Sequence, residues 1–558
     1  MGDAAAELAE LRKQTIWEML ERSAARVPDR TALLGVDDDG IDRSLSYAEL
    51  IERAREFSAG LAHIGVRRGD RIVLWMTNSL EWVIASFGAL RIGAAVVPIN
   101  TFLKPDEIDY LIRQSGARHL VMLDAFRKLD MPAMLSGLCP EFRSLERPGH
   151  LASLALPDLR NIVLLGYRGG THPGTFDYRA LQRIGQKNKE AIALATEMAA
   201  AATSEDLAYV KYTSGSTSFP KGVMLQQGGI VANGILHSRR IGVTDGEKFL
   251  SMMPFFHGGG SIWGLMTMMT TGNTLIFTEA FNATRAAELI HREQATILFG
   301  ALPNEIYDAA RDRGLTLDSL RIATITCEAD REVVPNASWF IMPSGLTECY
   351  GPMAVNSADD PPEKFGTCGR MLDGYELRLV DPATGRDVGP GEPGEAWIRG
   401  NVMLGYWNKP EETARAFTEE GWLRSEDLMS RDEDGYIAYV GRIKLMLKVG
   451  GENVSIEEVE AVIDKHDAVA VSAAVGVPDR RKEERVRAYV ELRRGASVTA
   501  AELHEWLSTR LARFKQPREI VFVDEMPRLA NAKLDRVTLN EWAKQEVSVT
   551  EFQMEGSN

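Results

Sequence analysis

Between residues 47 and 278, short apolar runs alternate with longer segments patterned as helices, and this alternation limits the chain to few folds. "AELIERAREFSAGLAHIGV" sets Leu50, Ala54, Phe57, Leu61 and Ile64 at spacings of three and four, one face of a helix. "GDRIVLWM" at 69–76 then reads as a buried strand, and "SLEWVIASFGALRIGA" as a helix capped by its serine. "ARHLVML", "RNIVLLG" and "TLIFT" continue the series. Strand–helix alternation of this kind builds α/β layers around mainly parallel sheets.

The pattern changes twice downstream. "YELRLVD", "GEAWIRG" and "GYIAYVGR" are short strands between Gly, Pro and Asp turns, which predicts a small barrel or meander. After "VGRIKLMLKVGGENVS", the segment "SIEEVEAVIDKH" opens with Ser455 ahead of Glu458, a capping-box spacing. Further strands (468–477, 486–492, 519–523) and a helix (500–511) follow. The expected fold is α/β: a large N-terminal domain, residues 1–443, with a β-barrel-like subdomain at about 366–440, and a small mobile α+β C-terminal domain at 444–545. The Ala-rich stretch at 191–202 and the tail at 546–558 are expected to be loose.

Charge narrows the function classes. A net charge of −15 disfavours nonspecific binding to nucleic acid or anionic membrane, though not a local basic pocket. Cys139, Cys327, Cys349 and Cys368 form no CxxC pair, which fits a reducing cytoplasm better than a disulfide framework. The start, "MGDAAAELAELRKQ", lacks the apolar core of a signal peptide, and no apolar stretch reaches the ~20 residues of a membrane span. These features predict a cytoplasmic protein.

Four segments carry chemistry-bearing residues. In "YVKYTSGSTSFPKGVML" a strand feeds a run of small residues whose backbone N–H groups can converge on an anion. Thr213, Ser214, Ser216, Thr217 and Lys221 add hydroxyls and a charge. Pro220 ahead of the lysine excludes a Walker A arrangement. A Ser/Gly-rich linker has the same composition. In "PSGLTECYG", Glu348 could hold a divalent cation and Thr347 a phosphate oxygen, or the pair could open an ordinary helix. Asp427, in "RSEDL", is of the type that accepts vicinal ribose hydroxyls, yet acidic turns are common on surfaces. Lys533, in "PRLANAKLDR", reads alone as solvated surface.

Order and spacing together resemble the adenylate-forming superfamily of acyl-CoA synthetases, beetle luciferase and peptide-synthetase adenylation domains, its acyl-CoA synthetase branch most of all. The resemblance covers about residues 14–545 and includes "PDRTALL", "LSYAELIERA", "GVRRGDRIVLWMTNS", "GAAVVPIN", "GNVMLGYWNKPEETARAF" and "GGENVSIEEVE". It implies an enzyme that uses ATP and Mg²⁺ to turn a carboxylic acid into an acyl-adenylate, then passes the acyl group to the thiol of CoA. It assigns Thr213, Ser214, Gly215, Ser216, Thr217 and Lys221 to the pyrophosphate, Thr347 to the α-phosphate, Glu348 to the metal, and Tyr350 to the neighbourhood of the adenine. Asp427 would take the ribose beside Arg442, and Lys533 would bridge the acid and the α-phosphate. Lys444 matches the family's hinge, and Lys448, Gly450 and Gly451 its acceptor side. "MPFFHGGGSIWGL" matches the acyl-pocket segment, with His257 and Gly258 beside Thr326 and Cys327. A core histidine is the competing reading of His257.

Some residues depart from the family pattern. Ser218 and Glu426 stand where glycine is usual, Thr326 and Cys327 replace small residues, and Leu529 and Ala532 flank Lys533 in place of Thr and Gly. They leave open the acid and the acceptor: a carrier-protein thiol, an amine, or nitrite in a diazotising reaction. A non-catalytic scaffold is the rival from another class, and retention of Lys221, Glu348, Asp427, Arg442 and Lys533 speaks against it.

Overall fold

The structure is a computed structural model. It describes residues 2–213, 219–299, 303–324, 332–340, 344–357, 359–382, 384–442, 446–479, 483–493, 495–528 and 534–544. By packing, the chain divides into two compact units: residues 1–101, 109–212 and 222–441 form one, and the chain from Arg442 onward, with residues 102–108 and 213–221, the other.

Two seven-stranded sheets carry the first unit. In one, Leu207–Thr213, Ala95–Pro98, Arg71–Trp75, His119–Leu123, Asn161–Leu165 and Phe176–Asp177 run parallel as successive neighbours. Its middle strands are buried along their length, which is why they read as unbroken apolar runs and not as alternating ones. The other sheet orders Ser338–Phe340, Ile322–Thr324, Ile297–Phe299, Lys248–Ser251, Thr274–Thr278 and Thr31–Val36 in parallel, and ends on the antiparallel strand Asp42–Ser46.

Helices fill the faces of these sheets. Tyr47–His63 begins at a full capping box of Ser46 and Glu49, and Ser79 Oγ accepts from Trp82 N to start Leu80–Arg91. Of residues 191–202, expected to be loose, all but the C-cap Ala202 instead belong to helix Lys189–Ala201, which Asn188 caps through the N–H groups of Glu190 and Ala191. Alanine is the best intrinsic helix former, so once capped the stretch needs little packing to hold its shape.

Downstream, Glu376–Val380, Gly394–Arg399, Leu423–Arg431 and Ile437–Arg442 follow one another in a four-stranded meander. The second unit builds its own sheet from Met446–Val449, Glu452–Ser455, Val469–Asp479, Glu483–Leu492 and Glu519–Val523. Its core joins Val459, Ile463, Val490, Leu503, Leu507 and Ile520. Among the described residues no helix is long and apolar enough to cross a membrane.

Candidate active site

Loop geometry around His257 is fixed from several sides. Asn78, between strand Arg71–Trp75 and helix Leu80–Arg91, accepts from Phe255 N at 2.7 Å and donates to Met253 O at 3.2 Å. Phe255 packs on Trp82, their ring centroids 5.2 Å apart. Lys211 Nζ, from strand Leu207–Thr213, donates to Phe256 O at 3.1 Å. His257 N closes the turn onto Pro254 O, and Ser261 donates to His257 O through both N–H and Oγ. The chain then runs through a π-helical turn, Gly259–Gly264, into helix Leu265–Thr271. Single π turns inside helices are frequent at functional sites. His257 is half-buried in this turn, where a core histidine would be enclosed as His237 is.

Facing that turn is the short 3₁₀ helix Thr347–Cys349, which links strands Ser344–Leu346 and Gly351–Val355. A methyl group on Gly258 would lie 4.0 Å from Thr347 Oγ1, so the two segments are neighbours. Tyr406 Oη donates to Glu348 Oε1 at 3.0 Å, and Glu348 O accepts from Met403 N at 2.7 Å. Burial and then the charge of Glu348 raise the Tyr406 phenol, so it stays protonated and remains a donor to the carboxylate. Burial likewise raises the Cys349 thiol, with Glu348 and Asp427 adding to the effect, and leaves it inert.

Tyr350 is expected near the adenine. It is fully buried at φ 62°, its ring lies against Gly229, and its Oη accepts from Gln226 N at 3.1 Å. A Cβ at Gly229 would sit 2.3 Å from that ring, so the glycine is required there. Asp427, which the sequence sets between a strand end and a turn, lies inside strand Leu423–Arg431 and is 4 % exposed. The ladder to Gly394–Arg399 shifts register between Glu395 and Trp397, opposite the segment where Glu426 takes φ 60°. A bulge of this kind re-aims one side chain of a strand, here around Asp427, whose N–H donates to Ser425 Oγ at 3.1 Å.

Other expected residues are partly or wholly outside this description. Ser214, Gly215, Ser216, Thr217, Thr326, Cys327, Lys444 and Lys533 lie outside the described residues, as do Ser218, Leu529 and Ala532. So does the side chain of Arg442. Thr213 ends its strand, and half-buried Lys221 begins Lys221–Gln226. In the second unit Lys448 is exposed, and Gly450 and Gly451, at φ 62° and 82°, form the two-residue turn between Met446–Val449 and Glu452–Ser455. Two successive positive φ values are what a tight hairpin asks for, so the turn alone accounts for both glycines.

Sequence patterns had not singled out Tyr406, Asn78 or Lys211. Tyr406 and Asn78 act through contacts with distant segments and leave no local signal. Lys211 does leave one, as the lone charge in the apolar strand "LAYVKY".

Comparison with known proteins agrees with this architecture. The AMP-binding enzyme family matches residues 20–407, and the AMP-binding enzyme C-terminal domain matches residues 458–533. The chain is 32% identical over 541 residues to the 3-[(3aS,4S,7aS)-7a-methyl-1,5-dioxo-octahydro-1H-inden-4-yl]propanoyl:CoA ligase of Rhodococcus jostii (strain RHA1), covering 94% of this chain and 98% of that one. It is 30% identical over 552 residues to the mitochondrial medium-chain acyl-CoA ligase ACSF2 of Mus musculus, covering 96% and 88%. The crystal structure of the anthranilate CoA ligase AuaEII in complex with anthranoyl-AMP superposes with a TM-score of 0.67 at 28% identity, covering 95% and 98%. The chain belongs to the AMP-binding enzyme family, within the adenylate-forming superfamily.

Proposed function

We propose that this protein activates a carboxylic acid with ATP to an acyl-adenylate, releases pyrophosphate, and transfers the acyl group to the thiol of CoA. The observation that carries the reading is the placement of Thr347 and Glu348. A 3₁₀ turn presents them to the His257–Gly258 loop, and Tyr406 holds the carboxylate in one orientation. In the first step a carboxylate oxygen bonds to the α-phosphorus while the bond to the pyrophosphate oxygen breaks. The nucleophile is already ionised at neutral pH, so no general base is needed.

Two anions must approach each other in that step, so electrostatic stabilisation is the main demand on the protein. Lys533 is proposed to bridge the acid and the α-phosphate. Rotation of the second unit about Lys444 would then bring Lys448 towards the acceptor. Among the described residues no three His, Cys, Asp or Glu side chains cluster into a metal cage. The carboxylate of Glu348 suits a Mg²⁺ that arrives with the phosphates and keeps several waters, which would offset charge on the phosphate oxygens.

The relatives' names span medium-chain, aromatic and bicyclic acids, so the choice of acid is open to a panel. Pyrophosphate release is measured with aliphatic, aromatic, amino-substituted and inorganic acids, with and without CoA. Acid-dependent release with a CoA thioester as product is expected. Release without a thioester would move the acceptor to an amine or a carrier protein. No release from any acid would leave a binding scaffold.

A further inference from the structure

Lys211 is 3 % exposed, an unusual place for a cation. Its Nζ donates to Phe256 O at 3.1 Å and lies 4.8 Å from the centroid of the Tyr209 ring. No carboxylate forms an ion pair with it among the described residues. Tyr209 is in turn tied to helix Leu80–Arg91, with its Oη 2.9 Å from Ser86 Oγ. Among the described residues, the titratable side chain that packs against the ammonium is Tyr209, on its own strand. Helix Leu80–Arg91 meets Tyr209 through the neutral Ser86.

We infer that Lys211 is a positioning residue of the adenylation site: through Phe256 O it fixes the turn that sets His257 and Gly258 against Thr347, and it places a buried positive charge behind that turn. This deepens the proposed function and rests on it. A hydrogen bond from a neutral amide would suffice to hold one carbonyl, whereas a buried ammonium makes the bond stronger and adds a field. In a poorly polarisable interior that field is weakly screened, and it favours the phosphates and the carboxylate that converge on Thr347.

Burial lowers the Lys211 pKa from its ordinary value to about 7, so the charge is present on the acid side of neutrality and lost above it. An anionic ligand draws the proton back. Binding of such a ligand near pH 7.5 is then accompanied by proton uptake at Lys211.

The discriminating variant is Lys211→Gln, which keeps an N–H donor for Phe256 O and removes the charge. AMP binding is measured by calorimetry at pH 7.5 in two buffers of different ionisation enthalpy. Wild type is expected to take up roughly half a proton more than the variant. For pyrophosphate release, kcat/KM reports the free enzyme, and the ratio of wild type to Lys211→Gln should fall about tenfold between pH 6 and pH 8.5. Taking the ratio cancels titrations common to both proteins. Lys211→Met, which also removes the donor, should lower kcat at every pH while showing the same flat ratio to Lys211→Gln.

Equal proton uptake by wild type and Lys211→Gln, zero included, overturns the inference, as do parallel pH profiles. The two readings fail separately. Lost uptake in Lys211→Gln, with no pyrophosphate from any acid, would refute acid activation and support the role of Lys211. Pyrophosphate release with equal uptake and parallel profiles would do the reverse.

Discussion

Two lysines, one in each compact unit, are buried to the same 3 % exposure and behave in opposite ways. Lys515 donates to Glu458 at 2.8 Å and to Glu107 at 2.6 Å, both within the second unit, which includes residues 102–108. Burial pulls its pKa down, but the two carboxylates outweigh this and raise it, so the ammonium is permanent. Lys211 meets a carbonyl and a ring face, no carboxylate pairs with it among the described residues, and its pKa falls to about 7. Burial therefore does not decide the charge of a lysine; its counter-ions do. A permanent charge suits a structural clamp, and a charge that can be lost suits a site whose ligands are anions.

The largest expected effect breaks the clamp. Lys515→Met leaves the Glu458 and Glu107 carboxylates buried without a cation, a loss of ~3–5 kcal/mol by analogy with other severed buried pairs. Urea unfolding at pH 7.5 reads it as a lower midpoint. The deficit should shrink towards pH 5, because burial already raises the Glu458 pKa and protonation relieves the repulsion. A midpoint within ~0.5 kcal/mol of wild type at pH 7.5 would show that Lys515 is not the clamp its contacts describe.

A smaller effect, of opposite sign, belongs to Lys211. Its folded pKa lies below its unfolded one, so between about 7 and the ordinary 10.5 the unfolded chain binds more protons and stability rises with pH. The cost is complete below pH 7 and absent above about 10.5. Replacing Lys211 with Gln should therefore stabilise the protein by ~2 kcal/mol at pH 6.5 and by almost nothing at pH 10.5. That figure stands below the ~5 kcal/mol that the full shift would imply, because local relaxation softens buried charges. Destabilisation by Lys211→Gln at pH 6.5 would mean that the ammonium–carbonyl bond outweighs the desolvation.

The contrast between the two lysines also marks what could be read from the sequence. Parallel strands such as "RNIVLLG" were legible because burial on both faces demands an apolar residue at every position. Ser79 was legible as a cap because capping is local. Thr347 and Glu348 became legible through the order of several motifs, and the structure adds that Tyr406 orients the carboxylate from 58 residues away. The state of Lys211 was not legible, since it depends on its burial and on Phe256 O, 45 residues downstream, which only packing reveals. The Ala-rich stretch, expected to be loose, carries its helix signal outside itself, in the Asn188 cap ahead of it.

At Glu426, charge and backbone strain can be separated by two substitutions. Glu426 adopts φ 60° beside Asp427, a left-handed conformation that glycine takes without a Cβ penalty. Its carboxylate is close enough to help raise the Tyr406 phenol, after burial and Glu348. Glu426→Gly removes both strain and charge, whereas Glu426→Ala removes the charge and keeps the strain. The glycine variant should gain ~0.5–1 kcal/mol over the alanine variant in urea unfolding, since the relief of strain exceeds the entropy that glycine adds to the unfolded chain. Pyrophosphate release should rise alike in both, by about twofold, if the extra negative charge opposes the incoming phosphates as the Lys211 ammonium favours them. Equal stabilities would show that the bulge holds Glu426 without strain, and unchanged rates would confine the electrostatic contrast to the lysines.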